Sequence, residues 1–206
     1  MYRPILKFFA QALAGMTAML ILSSAAHADA VIQVTDNSGQ PVQDAVVYAE
    51  LASGPQLTKA ATAEIQQKDK KFLPFVTAVQ TGTSISFPNN DTVRHHAYSF
   101  SPAKPFELKL YSGKPAAPII FDKPGTVVVG CNIHDQMVAY IHIVDTPYFA
   151  KTDASGKARL PGIPAGKYTL KTWHPKQPPS AAIPEQPLQI DSNAVNVNIK
   201  LSYKAG

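Results

Sequence analysis

The chain has a single cysteine, Cys131, among its 206 residues, so no internal disulfide can form. An odd cysteine in an exported protein serves either an intermolecular bridge or a thiol kept for chemistry. Runs of lysine or arginine are missing as well. The formal net charge is +5, and Arg3 and Lys7 supply two of those charges within the first seven residues. A balance that mild, without a basic cluster, excludes the electrostatic footprint of a nucleic-acid binder. Sustained 3.6-residue periodicity is scarce, which argues against a helical domain. The apolar stretch Phe8 to Leu22 is 15 residues long, short of the roughly 20 that span a bilayer.

That stretch, with Arg3 and Lys7 before it and Ala26-His27-Ala28 after it, reads as a secretory leader over residues 1–28. Small residues stand at the two positions a signal peptidase inspects, which predicts cleavage after Ala28. A retained membrane anchor is the alternative. Residues 29–206 are then the mature chain, enough for one ordinary domain or two small ones. The leader implies a periplasmic protein with no membrane attachment after cleavage.

Eighteen prolines and eleven glycines punctuate short apolar runs rich in valine, isoleucine, threonine and tyrosine. That pattern predicts an all-β sandwich. Strands are expected over Ala30 to Val34, Val42 to Leu51, Phe75 to Gln80, Thr83 to Phe87, Ala97 to Phe100, Phe106 to Leu110, Pro118 to Phe121, Thr126 to Gly130 and Val138 to Val144. Two more are expected over Lys167 to His174 and Ala194 to Tyr203. Leu57 to Lys70 reads as a loop or one short helix, and Leu160 to Gly166 as a turn. Alternation along Val138 to Val144 puts Tyr140, His142 and Val144 on one face.

The segment Cys131-Asn132-Ile133-His134-Asp135-Gln136-Met137 lies between two of these expected strands. A tight loop there presents a thiolate, an imidazole and a thioether at three-residue spacing. Two histidines and a cysteine in a plane, with a long axial methionine, form the donor set of a blue-copper site, whereas zinc rarely uses methionine. The second histidine is expected from Asn89-Asn90-Asp91-Thr92-Val93-Arg94-His95-His96. Adjacent strand residues face opposite ways, so only one of His95 and His96 points inward. Taken singly, a buried cysteine is usually inert, a loop histidine ordinary and a methionine core. The three at this spacing favour a metal site.

These motifs resemble the cupredoxin family. "Phe-Pro-Asn-Asn-Asp…His", followed by "Phe-Asp-Lys-Pro-Gly-Thr-Val…Cys-x-x-His-x-x-Met", is similar over Phe72 to Asp145. The short ligand loop is similar to that of amicyanin and of plastocyanin-like exported proteins labelled "methylamine utilization protein". The resemblance implies a cupredoxin-like Greek-key β-sandwich over 29–145, followed by a small β-sandwich-like segment over 146–206. That tail is similar to transthyretin or carboxypeptidase-regulatory repeats, as is the opening Asp36 to Val47. The resemblance also implies one type 1 copper ion held by Cys131, His134, the axial Met137 and, counting along Asn-x-Asp-x-x-x-His, His95. His96 stands where the family often has an asparagine that holds the ligand loop, and Asn132 is the residue expected to take over that support.

By the same resemblance the protein is a single-electron carrier rather than an enzyme. Its partner is a redox protein, a c-type cytochrome or a dehydrogenase, met through the edge of His134. Two other classes remain open: a copper-delivery module without electron transfer, and a β-sandwich adhesion or carbohydrate module with an incidental cysteine. A cysteine–histidine hydrolase lacks its usual signatures and leaves Met137 without a role. His142 is expected at a surface or rim, His174 as structural or solvent-facing, Trp173 in the core of the tail, and Asp135 in solvent.

Overall fold

A computed structural model describes residues 26–59, 61–115, 117–178 and 180–202. The expected leader lies outside the described residues except for Ala26, His27 and Ala28. The described residues form strands and no helix. In chain order the strands are β1 (His27–Thr35), β2 (Val46–Leu51), β3 (Thr62–Glu64), β4 (Gln66–Lys68), β5 (Lys71–Leu73), β6 (Val76–Gln80), β7 (Thr83–Ser86), β8 (His95–Ser99) and β9 (Phe106–Tyr111). They continue as β10 (Ile119–Phe121), β11 (Gly125–Gly130), β12 (Val138–Val144), β13 (Phe149–Lys151), β14 (Lys157–Pro164), β15 (Gly166–Trp173), β16 (Glu185–Ile190) and β17 (Val195–Lys200). No helix among them is long and apolar enough to cross a membrane.

The segment from β3 to β12 builds one sandwich. A five-stranded sheet, ordered β6-β12-β11-β8-β9, faces a three-stranded one, β10-β7-β3, and β4 and β5 form a separate hairpin. Alternation decides what lies between them. Ala139, Ile141 and Ile143 of β12 point into a core with Val127 and Val129 of β11, Phe87, Phe121 and Ile85. Each such Ile or Phe, fully buried, contributes about 1.5–3 kcal/mol.

The second sandwich is made from both sides of the first in sequence. Sheet β14-β1-β17 packs on sheet β13-β2-β15-β16. β1 alternates strictly, burying Ala28, Ala30, Ile32 and Val34 against Leu160, Leu170 and Ile190. β2 is buried on both faces. Val47 and Ala49 join that core, whereas Val46 and Tyr48 join a third cluster with Val76, Val144 and Trp173. The sheet carrying β2 is therefore an inner layer, covered on its other side by the first sandwich.

The expected division at 145/146 thus meets a different arrangement: the opening strands β1 and β2 pair with strands after 145. Sequence shows which face of a strand is apolar but not which distant strand will cover it. Two local expectations are corrected as well. The stretch expected as loop or helix, 57–70, contains β3 and β4, and the turn expected at 160–166 lies largely within β14. β14 is an edge strand, the place where a proline such as Pro161 is tolerated because its missing N–H costs no ladder bond. Gly162 takes φ +61 there, and its amide donates to Asp29 Oδ1 at 2.8 Å.

Candidate metal centre

Three strands converge on one end of the first sandwich. β11 and β12 pair antiparallel up to Gly130 opposite Val138, so Cys131 to Met137 is the loop that closes them. The loop holds its own shape: the Met137 amide donates to the His134 carbonyl at 2.9 Å, and that of Val138 to Gln136 at 3.1 Å. β8 lies beside β11, with Tyr98 opposite Gly130. The Tyr98 ring would stand 3.4 Å from a Cβ on Gly130, an ordinary van der Waals contact, and the pairing brings β8 up against the strand that leads into Cys131.

That approach carries His95 to the loop. One donor atom each from His95, Cys131 and His134 lie within 4.8 Å of one another. Cys131 Sγ is 4.0 Å from His134 Nδ1, and the two imidazole rings stand 5.0 Å apart. Metal bonds of roughly 2.0–2.3 Å in a trigonal plane put donor atoms about 3.5–4 Å apart, so the sulfur–nitrogen spacing is already that of a shared ion. Cys131 is buried, His134 half-buried and Asp135 in solvent. Met137 is buried in the same cluster as Cys131.

His95 is fully buried, and its two ring nitrogens differ. Nε2 lies 2.6 Å from Asp91 Oδ2, while Nδ1 has no hydrogen-bond partner. A buried nitrogen without a partner carries a desolvation penalty of about 1–3 kcal/mol, which a bound ion would remove. The donor chemistry, the spacing and this orphaned atom together fit a soft, thiolate-binding metal.

Asp91 is itself anchored. Its Oδ1 accepts the Asp69 amide at 2.7 Å and its Oδ2 the Lys70 amide at 2.9 Å. Burial pushes the Asp91 carboxyl up, but the Lys70 amide, His95 and the Asp69 amide outweigh it and hold the carboxyl below its ordinary value. Asn89 ties the same loop to β9, donating to the carbonyls of Val93 at 2.9 Å and Tyr111 at 2.7 Å. Burial pushes the Tyr111 phenol up to about 12, against the lowering effect of its hydrogen bond with Gln67.

His96 takes the other face of β8. Its Nε2 lies 3.1 Å from Glu107 Oε1, and its ring packs on Tyr98 at 5.1 Å. It borders a cavity of about 350 Å³ with Tyr98, Phe100, Glu107 and Asn132. Asn132 is exposed; Asp91 and Asn89 anchor the loop that leads into His95, not the loop from Cys131 to Met137. The Asn-x-Asp-x-x-x-His spacing was the available signal for Asp91.

His142, expected at a rim, is buried between the two sandwiches. Its ring stacks on Trp173 at 4.6 Å and 8°, and Nδ1 lies 3.0 Å from Thr126 Oγ1. Burial pushes its pKa down to about 4. His174 is buried too, with Nε2 3.2 Å from the Gln43 carbonyl.

No protein-family model and no curated protein sequence matches the chain. Several solved structures are similar over part of it. A copper-containing nitrite reductase from Thermus scotoductus SA-01 aligns at 22% identity and TM-score 0.38, covering 54% of this chain and 28% of its own. The chain thus spans little more than a quarter of that reductase. A purple cupredoxin from Nitrosopumilus maritimus aligns at 18% identity and TM-score 0.35, covering 40% of this chain and 99% of its own. A reduced amicyanin variant aligns at 14% identity and TM-score 0.37, covering 49% and 99%.

Proposed function

We propose that this protein is a periplasmic blue-copper protein of cupredoxin type that carries single electrons, with His95, Cys131, His134 and Met137 as its ligands. The observation that carries the reading is the meeting of a buried thiol, a half-buried imidazole and a fully buried histidine, with one donor atom of each within 4.8 Å of the others; the Nδ1 of that histidine, His95, is buried without a partner. A copper ion held by such donors supplies a one-electron couple.

The chain's own residues supply the rest. Cys131 sits at the end of β11 and His95 at the start of β8, two adjacent strands. Both are buried, which favours little rearrangement on electron gain or loss. Four donors leave no open position for a substrate, which favours a carrier over an enzyme. The half-exposed edge of His134 is the exit, and the exposed Ile133 beside it offers apolar contact to a redox partner, a c-type cytochrome or a dehydrogenase. The leader over 1–28 supports export. The strands between Thr62 and Val144 form the copper unit, carried between the two halves of a transthyretin-like sandwich.

The test is a Cu(II) titration of the mature protein followed in the visible. An intense thiolate-to-copper band is expected, and Cys131→Ala abolishes it. His95→Ala weakens or shifts the band far more than His96→Ala does; equal effects overturn the choice of His95. Reversible reduction with the ion retained supports a carrier, and release of Cu(I) on reduction would indicate delivery.

A further inference from the structure

We propose that the tight turn Asp69-Lys70, joining β4 to β5, fixes the His95 ring through Asp91, and that Asp91 is a positioning residue for the metal centre. The inference rests on His95 being a ligand, as proposed above. β4 and β5 pair Lys68 with Lys71, which leaves a two-residue turn. Both turn residues take left-handed backbone, with φ 51 at Asp69 and 54 at Lys70. Such turns ordinarily favour Asn-Gly, because left-handed backbone is costly for a residue with a side chain. A plain hairpin has no use for that cost.

The geometry gives one. The turn aims two consecutive amides at the two oxygens of Asp91. The nearby loop is held from other directions as well: Asn89 Oδ1 accepts the Asp91 amide at 3.0 Å, and Asn90 Nδ2 donates to Gln66 Oε1 on β4 at 2.9 Å. An ionised carboxylate only accepts, so the proton between Asp91 and His95 sits on Nε2. That leaves the Nδ1 lone pair free, and Nδ1 is the buried atom without a partner. The ring's tautomer and direction are therefore set before any ion arrives. A partner that orients a metal-binding histidine in this way is typically worth about 10–100-fold in metal affinity.

The test begins on the metal-free protein with nitrogen-labelled histidine. Two-bond proton–nitrogen correlations should show His95 as the single Nε2–H tautomer in the wild type and as a mixture in Asp91→Ala. Cu(II) affinity should fall about 10–100-fold in that variant. Asp91→Asn can accept from the ring or face the amides but not satisfy both, so its affinity falls in between, and it carries the same tautomer test if Asp91→Ala does not fold. At the turn, Lys70→Gly keeps both the backbone shape and the amide and should bind copper as wild type. Lys70→Val removes the same charge but disfavours the shape, and should lower affinity. Equal behaviour of those two variants, or an unchanged tautomer in Asp91→Ala, overturns the proposal. Absence of a visible copper band in the wild type would instead overturn the copper reading, with the tautomer result still readable.

Discussion

The two sandwiches treat buried polar atoms differently. In the second, Asp36 Oδ1 accepts the amides of Ser38 and Gln40 at 2.8 and 2.9 Å. Thr152 Oγ1 there accepts the Ala45 amide at 2.8 Å and donates to the Val42 carbonyl at 2.7 Å. Its core is otherwise aliphatic apart from Tyr168. In the first, His95 Nδ1, His96 Nδ1, His142 Nε2, Thr77 Oγ1 and Gln67 Oε1 lie buried without partners, against Thr172 Oγ1 in the second. Buried polar groups are satisfied almost everywhere in proteins, so each exception asks for an explanation. Here one exception sits among the proposed metal donors and another borders a cavity beside them. The second sandwich reads as a scaffold, and the first as the part that gives up some stability to hold a ligand.

The largest test of that contrast is Leu170→Ala. Leu170 is fully buried in the second core, and the truncation should cost about 4 kcal/mol in denaturant unfolding. The visible copper band should stay where it is. A moved band would show that the scaffold shapes the site directly.

His142 lies between the two units and should give the next largest effect. Its pKa is pushed from 6.5 down to about 4 by burial. The folded ring refuses a proton that the unfolded chain accepts. Its contribution is therefore fully present above pH 6.5 and is lost as pH falls towards 4, about 3 kcal/mol in all. Unfolding of the metal-free protein between pH 7 and pH 4 should show this, and His142→Phe should flatten the profile relative to wild type.

Thr152→Val removes a hydroxyl that bridges two backbone groups inside the second sandwich. It should cost about 2 kcal/mol, the penalty for leaving a buried amide and carbonyl unpaired. Copper affinity should not change. Smallest of all should be Lys171→Ala. Lys171 pairs with Glu50 at 2.8 Å and with Glu185 at 3.8 Å on the part-exposed inner sheet. Exposed pairs are worth less than about 1 kcal/mol, and the loss should shrink further in salt. A larger effect would mean that this sheet depends on charge more than on its apolar faces.

The meeting of His95 with Cys131 and His134 was legible in the sequence. The Cys-x-x-His-x-x-Met spacing located the loop, and alternation along β12 put Tyr140, His142 and Val144 on one face, as observed. The strands with strong patterns, such as β7, β9 and β11, lie within a residue or two of their expected bounds. What failed has a common cause. β14 and β16 are edge strands carrying Pro161 and Pro187, and proline reads locally as a break although an edge has no ladder bond for it to lose. His142 was placed on the right face but at the wrong depth, because nothing in β12 itself states that another sheet lies over it. Asp91 was visible only as a spacing. Its work depends on a turn more than twenty residues earlier in the chain.

The pairing of β1 with β14 on one edge and, in parallel, with β17 on the other has a consequence for the order of assembly. All four proposed donors precede residue 138, and their contacts close within a contiguous stretch. The host layer is a bracket whose opening half waits for its closing half. A chain cut short before Val195 would own the whole ion pocket while β1 still lacked the neighbour on one side. The proposed copper unit can thus fold as an early tenant, before the outer bracket has its last strand.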